Sequence, residues 1–353
     1  MEIEEARAVV EATPLTPAAE DHLRQRARLR STHYSTRIEG NRLTLEQAER
    51  AITQPAFAPP GHERDVSEVR HYWQALLQIE AWAAERRPLT EELIRRLHAL
   101  VEHGQRARPT PYRDGQNIIR DTASGALVYL PPEAADVPGL MAAFVAWVES
   151  QAARSLPAPI VAGLVHYQFV TIHPYFDGNG RTARLLATFI LQRGGYGLNG
   201  YFSLEEHHAR ELGSYYAALV THPHHNYYEG RANADLTPWL EYFLAVVSRV
   251  FTLARSEALS LAARPEPPIP AALRRLEPRA RIVLGLFARV DRISAADVAA
   301  ALGLSDRMAR RLLQAWVADG WLIVADPSRR GRAYELSATY RPFIGHPTDT
   351  QET

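Results

Sequence analysis

The sequence predicts a mainly α-helical protein, with one β-hairpin interrupting its middle and a winged helix-turn-helix module at its C-terminal end. Three observations carry this. Apolar residues recur at helical spacing through most of the chain. Residues 112–132 abandon that spacing for two short extended runs, and beyond the proline-rich run R-P-E-P-P-I-P at 264–270 the pattern becomes helix, glycine turn, helix and two strands. A chain of 353 residues is too long for one compact core, so two or three domains are expected. The absence of cysteine excludes a disulfide framework, a thiol nucleophile and a cysteine metal site.

Residues 2–12, 17–30, 45–52 and 67–86 read as helices of an N-terminal region spanning 1–88. A further helix opens at L-T-E-E-L-I-R-R-L, where Thr90 is placed to cap but Leu93, three residues on, leaves the capping box incomplete. It starts a second region expected over 89–249. Within it, residues 117–120 and 126–130 flank the turn D-T-A-S-G and read as a β-hairpin. An apolar helix follows at 160–172, and the W-L-E-Y-F-L-A-V-V helix closes the region. Residues 250–270 are assigned to a helix end and linker, and 271–345 to the winged module.

The chemistry is concentrated in residues 173–184, H-P-Y-F-D-G-N-G-R-T-A-R. Gly178 and Gly180 can take positive φ, so successive N–H groups, with Asn179 between them, can curl into an anion nest. The run R-T-A-R-L-L-A-T-F-I-L then opens a helix whose N-terminal dipole favours phosphate. Arg181 and Arg184 lie on one face of that helix as guanidinium forks for phosphate oxygens. Asp177 suits Mg²⁺, which prefers one or two carboxylates plus substrate phosphates. His173, biased toward extended backbone by Pro174, is a candidate general base because a neutral imidazole accepts a hydroxyl proton near pH 7.

This segment resembles the signature of Fic (Fido-fold) proteins, H-P-F-x-D/E-G-N-G-R-x-x-R, departing from it only at Tyr175, where Phe is usual. The resemblance implies a helical Fido-fold domain that transfers AMP from ATP to a Ser, Thr or Tyr hydroxyl of a target protein. His173 would be the base, Asp177 the Mg²⁺ ligand, Gly178, Asn179 and Gly180 the phosphate loop, and Arg181 and Arg184 the β- and γ-phosphate contacts. Gly180, where related phosphorylating enzymes have Lys, favours nucleotidyl transfer. The hairpin corresponds to the Fic flap, which holds a target segment by strand addition. Tyr215 and Tyr216 match a tyrosine pair that such proteins place near the nucleotide; Tyr215 is the candidate for lining the adenine pocket, and ordinary core packing is the alternative.

Upstream, S-T-R-I-E-G-N at 35–41 fits the family's inhibitory pattern, S/T-x-x-x-E-G/N. By that resemblance Ser35, Glu39 and Gly40 form an inhibitory motif in which Glu39 pairs with Arg184 and occupies the γ-phosphate position. An alternative role for Glu39 is to orient a water for AMP removal. The clustered His207, His208, His222, His224 and His225 lack a regular metal-ligand spacing and read as solvated loop histidines.

Forty basic residues, all arginine, balance forty acids, but over 271–345 thirteen arginines face seven acids. Arg307, Arg310 and Arg311 on the second helix and Arg329, Arg330 and Arg332 at the turn suit duplex DNA phosphates. That raises a second reading, a DNA-binding regulator with a nucleotide-sensing Fic domain; protein binding and homodimerisation also stay open. The N-terminus lacks the basic and apolar regions of a secretory signal, and no apolar run is long enough to span a bilayer, so no membrane association and a cytoplasmic location are expected.

Overall fold

The computed structural model describes residues 2–105, 108–120, 125–229, 234–263, 276, 278–288, 290–302, 304–328 and 332–341. They fall into two compact units, 1–263 and 264–353. The first is helical: α1 (Glu2–Ala12), α2 (Pro17–Ile38), α3 (Leu45–Thr53), α4 (Glu63–Ala84), α5 (Glu91–His103), α6 (Val137–Val148), α7 (Gln151–Arg154), α8 (Ala158–Ile172), α9 (Asn179–Arg193), α10 (Leu204–Arg210), α11 (Leu212–Ala218) and α12 (Thr237–Ala262).

Helix starts follow local chemistry. The Thr90 hydroxyl accepts from the Leu93 amide at 3.1 Å, and Thr44 forms a complete capping box with Gln47. At the centre, α8 packs along α9, whose residues 181–191 are all buried. Leu185, Leu186, Phe189, Ile190 and Leu191 seat α9 in the core, and Arg181 and Arg184 are buried with them. Here it also fixes the loop that precedes it.

Three boundaries differ from the sequence expectation. The division expected at residue 88 has no counterpart in the packing, because Ala6, Val10 and Leu23 share one core with Leu97, Phe169, Leu186 and Phe251. Helix α2 continues eight residues beyond 30, although residues 31–38 are polar and β-branched, because Thr32, His33, Ser35 and Thr36 are buried by tertiary packing. The hairpin strands are shorter than expected: β1 (Ile119–Arg120) pairs antiparallel with β2 (Leu127–Tyr129). The turn residues 121–124 and the linker 264–270 lie outside the described residues. The hairpin is tied down where Tyr129 Oη donates to Thr171 O at 3.0 Å and the Leu130 amide to His225 O at 2.8 Å.

The second unit contains α13 (Pro278–Leu284), a 3₁₀ turn (Gly285–Ala288), β3 (Ile293–Ser294), α14 (Ala295–Leu302), α15 (Asp306–Ala318), β4 (Leu322–Asp326) and β5 (Ala333–Leu336). Its antiparallel sheet has the order β3-β5-β4, and its core is built from Val283, Phe287, Leu313, Trp316, Trp321 and Tyr334. Among the described residues, no helix is long and apolar enough to cross a membrane.

Candidate active site

Helix α8 ends at His173, which caps it in the left-handed region at φ 52°, ψ 59°. This corrects the expectation that Pro174 would hold His173 extended. Histidine tolerates that region better than most residues, and the carbonyls it turns outward are captured: Arg113 Nε donates to His173 O at 3.0 Å and the Arg113 amide to Pro174 O at 2.9 Å. Arg113, itself buried, is a site residue that the sequence reading missed. His173 Nδ1 lies 3.2 Å from Val170 O, so it carries the proton and leaves Nε2 as the acceptor. Burial lowers the imidazole to about 4, against the raising effect of the Val170 bond, so it is neutral at pH 7.

The two loop glycines serve different purposes. Gly178 is the N-cap of α9 with φ +73°. Gly180 lies inside the helix without positive φ, correcting the symmetric nest expected from sequence; a Cβ there would meet Glu39 Oε1 at 2.3 Å. It is small because a carboxylate occupies the space beside it. Asn179 also departs from expectation: its side chain turns inward, with Oδ1 accepting from the Tyr175 amide at 3.0 Å and Nδ2 donating to Tyr175 O at 2.8 Å. It braces the loop, leaving its backbone N–H as its contribution to an anion.

Arg181 and Arg184 are both buried but have separate partners. Arg181 pairs with Glu102 at 2.8 Å and, more weakly, with Asp177 at 3.5 Å. Glu102, on α5, has no signal in the sequence that would have found it. His98, one turn before it, is within hydrogen-bond distance of Asp177 O at 2.8 Å and stacks on Tyr175. Arg184 Nε donates to Ser35 Oγ at 2.9 Å, while Nη2 donates to Ser35 O at 3.0 Å and to Glu39 Oε1 at 2.8 Å.

Glu39 reaches that position because α2 ends there. Gly40 takes φ +94°, and the Gly40 and Asn41 amides return to the Arg37 and Thr36 carbonyls, a Schellman ending. The glycine cap and the projection of Glu39 are therefore one feature.

These groups line a cavity of about 500 Å³ that contains His173, Gly180, Arg184 and Glu39, with Arg120 and Val128 from the hairpin. Tyr215 is buried beside Arg184 and within hydrogen-bond distance of His166 Nε2 at 2.8 Å, whereas Tyr216 is half exposed. His222, His224 and His225 also line the cavity. His208 is fully buried against Tyr215 and Tyr242, which corrects its reading as a solvated loop histidine. A second cavity of about 390 Å³ near α2, α10 and α12 is lined by arginines already paired with Glu206, Glu211 and Glu257.

The Asp177 side chain is 62 % exposed; one oxygen accepts from the Gly178 amide and the other lies 3.9 Å from Arg64. Among the described residues, no group of three His, Asp or Glu could hold a metal unaided. One exposed carboxylate still fits Mg²⁺ when phosphates and water complete its shell.

Residues 88–191 match the model of the Fic/DOC family. The chain is 32% identical over 195 residues to a protein of Drosophila grimshawi named protein adenylyltransferase Fic, covering 55% of this chain and 39% of that relative. It thus spans about two fifths of that relative's length. Among solved structures, a Fic domain-containing signaling protein from Bacteroides thetaiotaomicron superposes with a TM-score of 0.64 at 25% identity, over 74% of this chain and 97% of that one. A Fic family protein from Desulfovibrio desulfuricans gives 0.58 at 26% identity over 96% of both chains.

Proposed function

We propose, from the match of residues 88–191 to the Fic/DOC family model, that this chain transfers AMP from ATP to a hydroxyl side chain of a target protein or of itself, and that Glu39 holds the site closed. The hydroxyl oxygen attacks the α-phosphorus, pyrophosphate leaves, and His173 Nε2 accepts the hydroxyl proton. The amides at the start of α9 and the two arginines would hold the phosphates. Asp177 would hold Mg²⁺, which supplies charge neutralisation along the polyphosphate.

The observation that carries this reading is the grip of Ser35 and Glu39 on Arg184 in the same cavity as His173. A carboxylate at that guanidinium occupies the place of a phosphate and repels the others. Glu39→Gly is therefore expected to raise ATP affinity and self-modification together, by roughly 10- to 100-fold, corresponding to ~1.4–2.8 kcal/mol for losing one charged competitor. Titration calorimetry and transfer of label from ATP measure both. Equal activity of the variant and the parent would reject autoinhibition; loss of an AMP-removing activity would instead assign Glu39 to orienting water.

A second reading concerns residues 264–353 and rests on the solvent face of α15. Ala309, Leu313 and Trp316 seat that helix on its core, while Arg307, Arg310 and Arg311 are exposed. We read the unit as a winged helix whose second helix meets duplex DNA phosphates; Arg332 lies beside β5, and Arg329 and Arg330 lie outside the described residues. Replacing Arg307 and Arg310 by Glu should weaken duplex binding and flatten its salt dependence without changing self-modification. Absence of any salt-sensitive DNA binding by the intact chain would move the unit to protein binding.

A further inference from the structure

Glu205, at the start of α10, is 1 % exposed, yet among the described residues no arginine or histidine lies within ion-pair distance of it. A buried carboxylate without a cation is costly unless strong donors hold it. Its donors are Ser203 Oγ at 3.1 Å and Tyr72 Oη at 3.1 Å. Burial raises Tyr72 well above the ordinary phenol range, so it remains a donor. The Tyr72 hydroxyl faces the Ser35 side chain, and Ser35 Oγ accepts from Arg184 Nε at 2.9 Å. Guanidinium and serine, and tyrosine and carboxyl, thus form two hydrogen-bonded pairs that meet where Tyr72 faces Ser35, across α9, α2, α4 and α10. Every member is at most 2 % exposed.

The two edges of Arg184 differ as a result. Its outer contact is Glu39, whose side chain is 30 % exposed and free to leave. The inner edge is tied to Ser35, which Tyr72 faces while held by Glu205. We infer that Glu205 and Tyr72 are positioning residues for Arg184, keeping its guanidinium aimed into the cavity when Glu39 is displaced. This rests on the reading of Arg184 as a terminal-phosphate contact.

The inference predicts a sign. Deleting a carboxylate near a polyphosphate should tighten ATP binding if charge alone matters. If Glu205 acts by positioning, Glu205→Gln made in the Glu39→Gly protein should instead weaken ATP by about tenfold, the scale of one charge-assisted hydrogen bond. Tyr72→Phe should do the same, and the double variant should lose little more, because both changes remove the same Tyr72–Glu205 contact. AMP, which lacks the terminal phosphates, should bind all variants alike; the melting temperature of Glu205→Gln should hold, whereas Tyr72→Phe, which takes a donor from the buried carboxyl, should melt somewhat lower.

Calorimetric titration with ATP and with AMP, alongside thermal melting, decides the matter. Unchanged or tighter ATP binding in both variants would overturn the inference, as would equal weakening of ATP and AMP or a marked fall in melting temperature in both. If Glu39→Gly alone failed to bind ATP, the nucleotide reading would fall with it; normal ATP binding there with unaffected variants would overturn only the positioning role.

Discussion

His173→Ala is expected to lower AMP transfer by roughly 10²- to 10⁴-fold, the usual contribution of a positioned general base, while leaving ATP affinity close to that of the parent. In the proposed mechanism the imidazole acts on the target hydroxyl, while α9 and its arginines hold the phosphates. The comparison belongs in the Glu39→Gly protein, where basal transfer is expected to be highest. Its pH dependence is a second test. A histidine at its ordinary value near 6.5 would cut transfer steeply between pH 7 and 6. Burial has lowered His173 to about 4, so it stays neutral and the rate should hold across that interval. Removing Glu39, which raises His173, lowers it further; a bound polyphosphate acts in the opposite direction. A midpoint for His173 above 6 by NMR titration, or wild-type transfer by His173→Ala, would remove it as the base.

Acid should unfold this protein well before its carboxylates are exhausted. Burial lowers His98 to about 4, His166 to about 3 and His208 well below its usual value. All three are at most 3 % exposed. Unfolded histidines bind protons near 6.5, so the unfolded state takes up more protons than the native state as pH falls below that value. The stability from keeping these imidazoles neutral is therefore full above about 6.5 and is lost as pH falls toward the folded values. Each group contributes up to about 1.4 kcal/mol per pH unit, or roughly 4 kcal/mol per unit for three, against a typical total of 5–15 kcal/mol. Melting temperatures should fall steeply between pH 6.5 and 4.5. Replacing His166 by Gln should flatten that slope. A melting temperature unchanged from pH 7 to 5 would contradict it.

The same residues mark what could be read from sequence. The reactive groups of loop 173–184 could be listed from sequence because glycine, carboxylate, imidazole and arginines stand within a few turns of backbone, whereas the backbone of His173 and Gly180 and the direction of Asn179 could not. A helix limit set by a cap was legible too, as at Thr90, where side-chain chemistry acts over a few residues. The extension of α2 through residue 38 was not, because its cause is burial against distant helices and residues 31–38 carry no apolar periodicity.

Local pattern by itself determined the helical class, the hairpin, the basic tail and the inventory of reactive groups. Tertiary structure decided their partners: Arg184 with Ser35 and Glu39, 149 and 145 residues away; Arg181 with Glu102; and Asn179 turned inward against Tyr175. Sequence spacing gives each side chain a face on its own helix. Which guanidinium meets which carboxylate depends on how helices far apart in the chain pack, and the lowered histidines depend on burial that exists only once that core has closed.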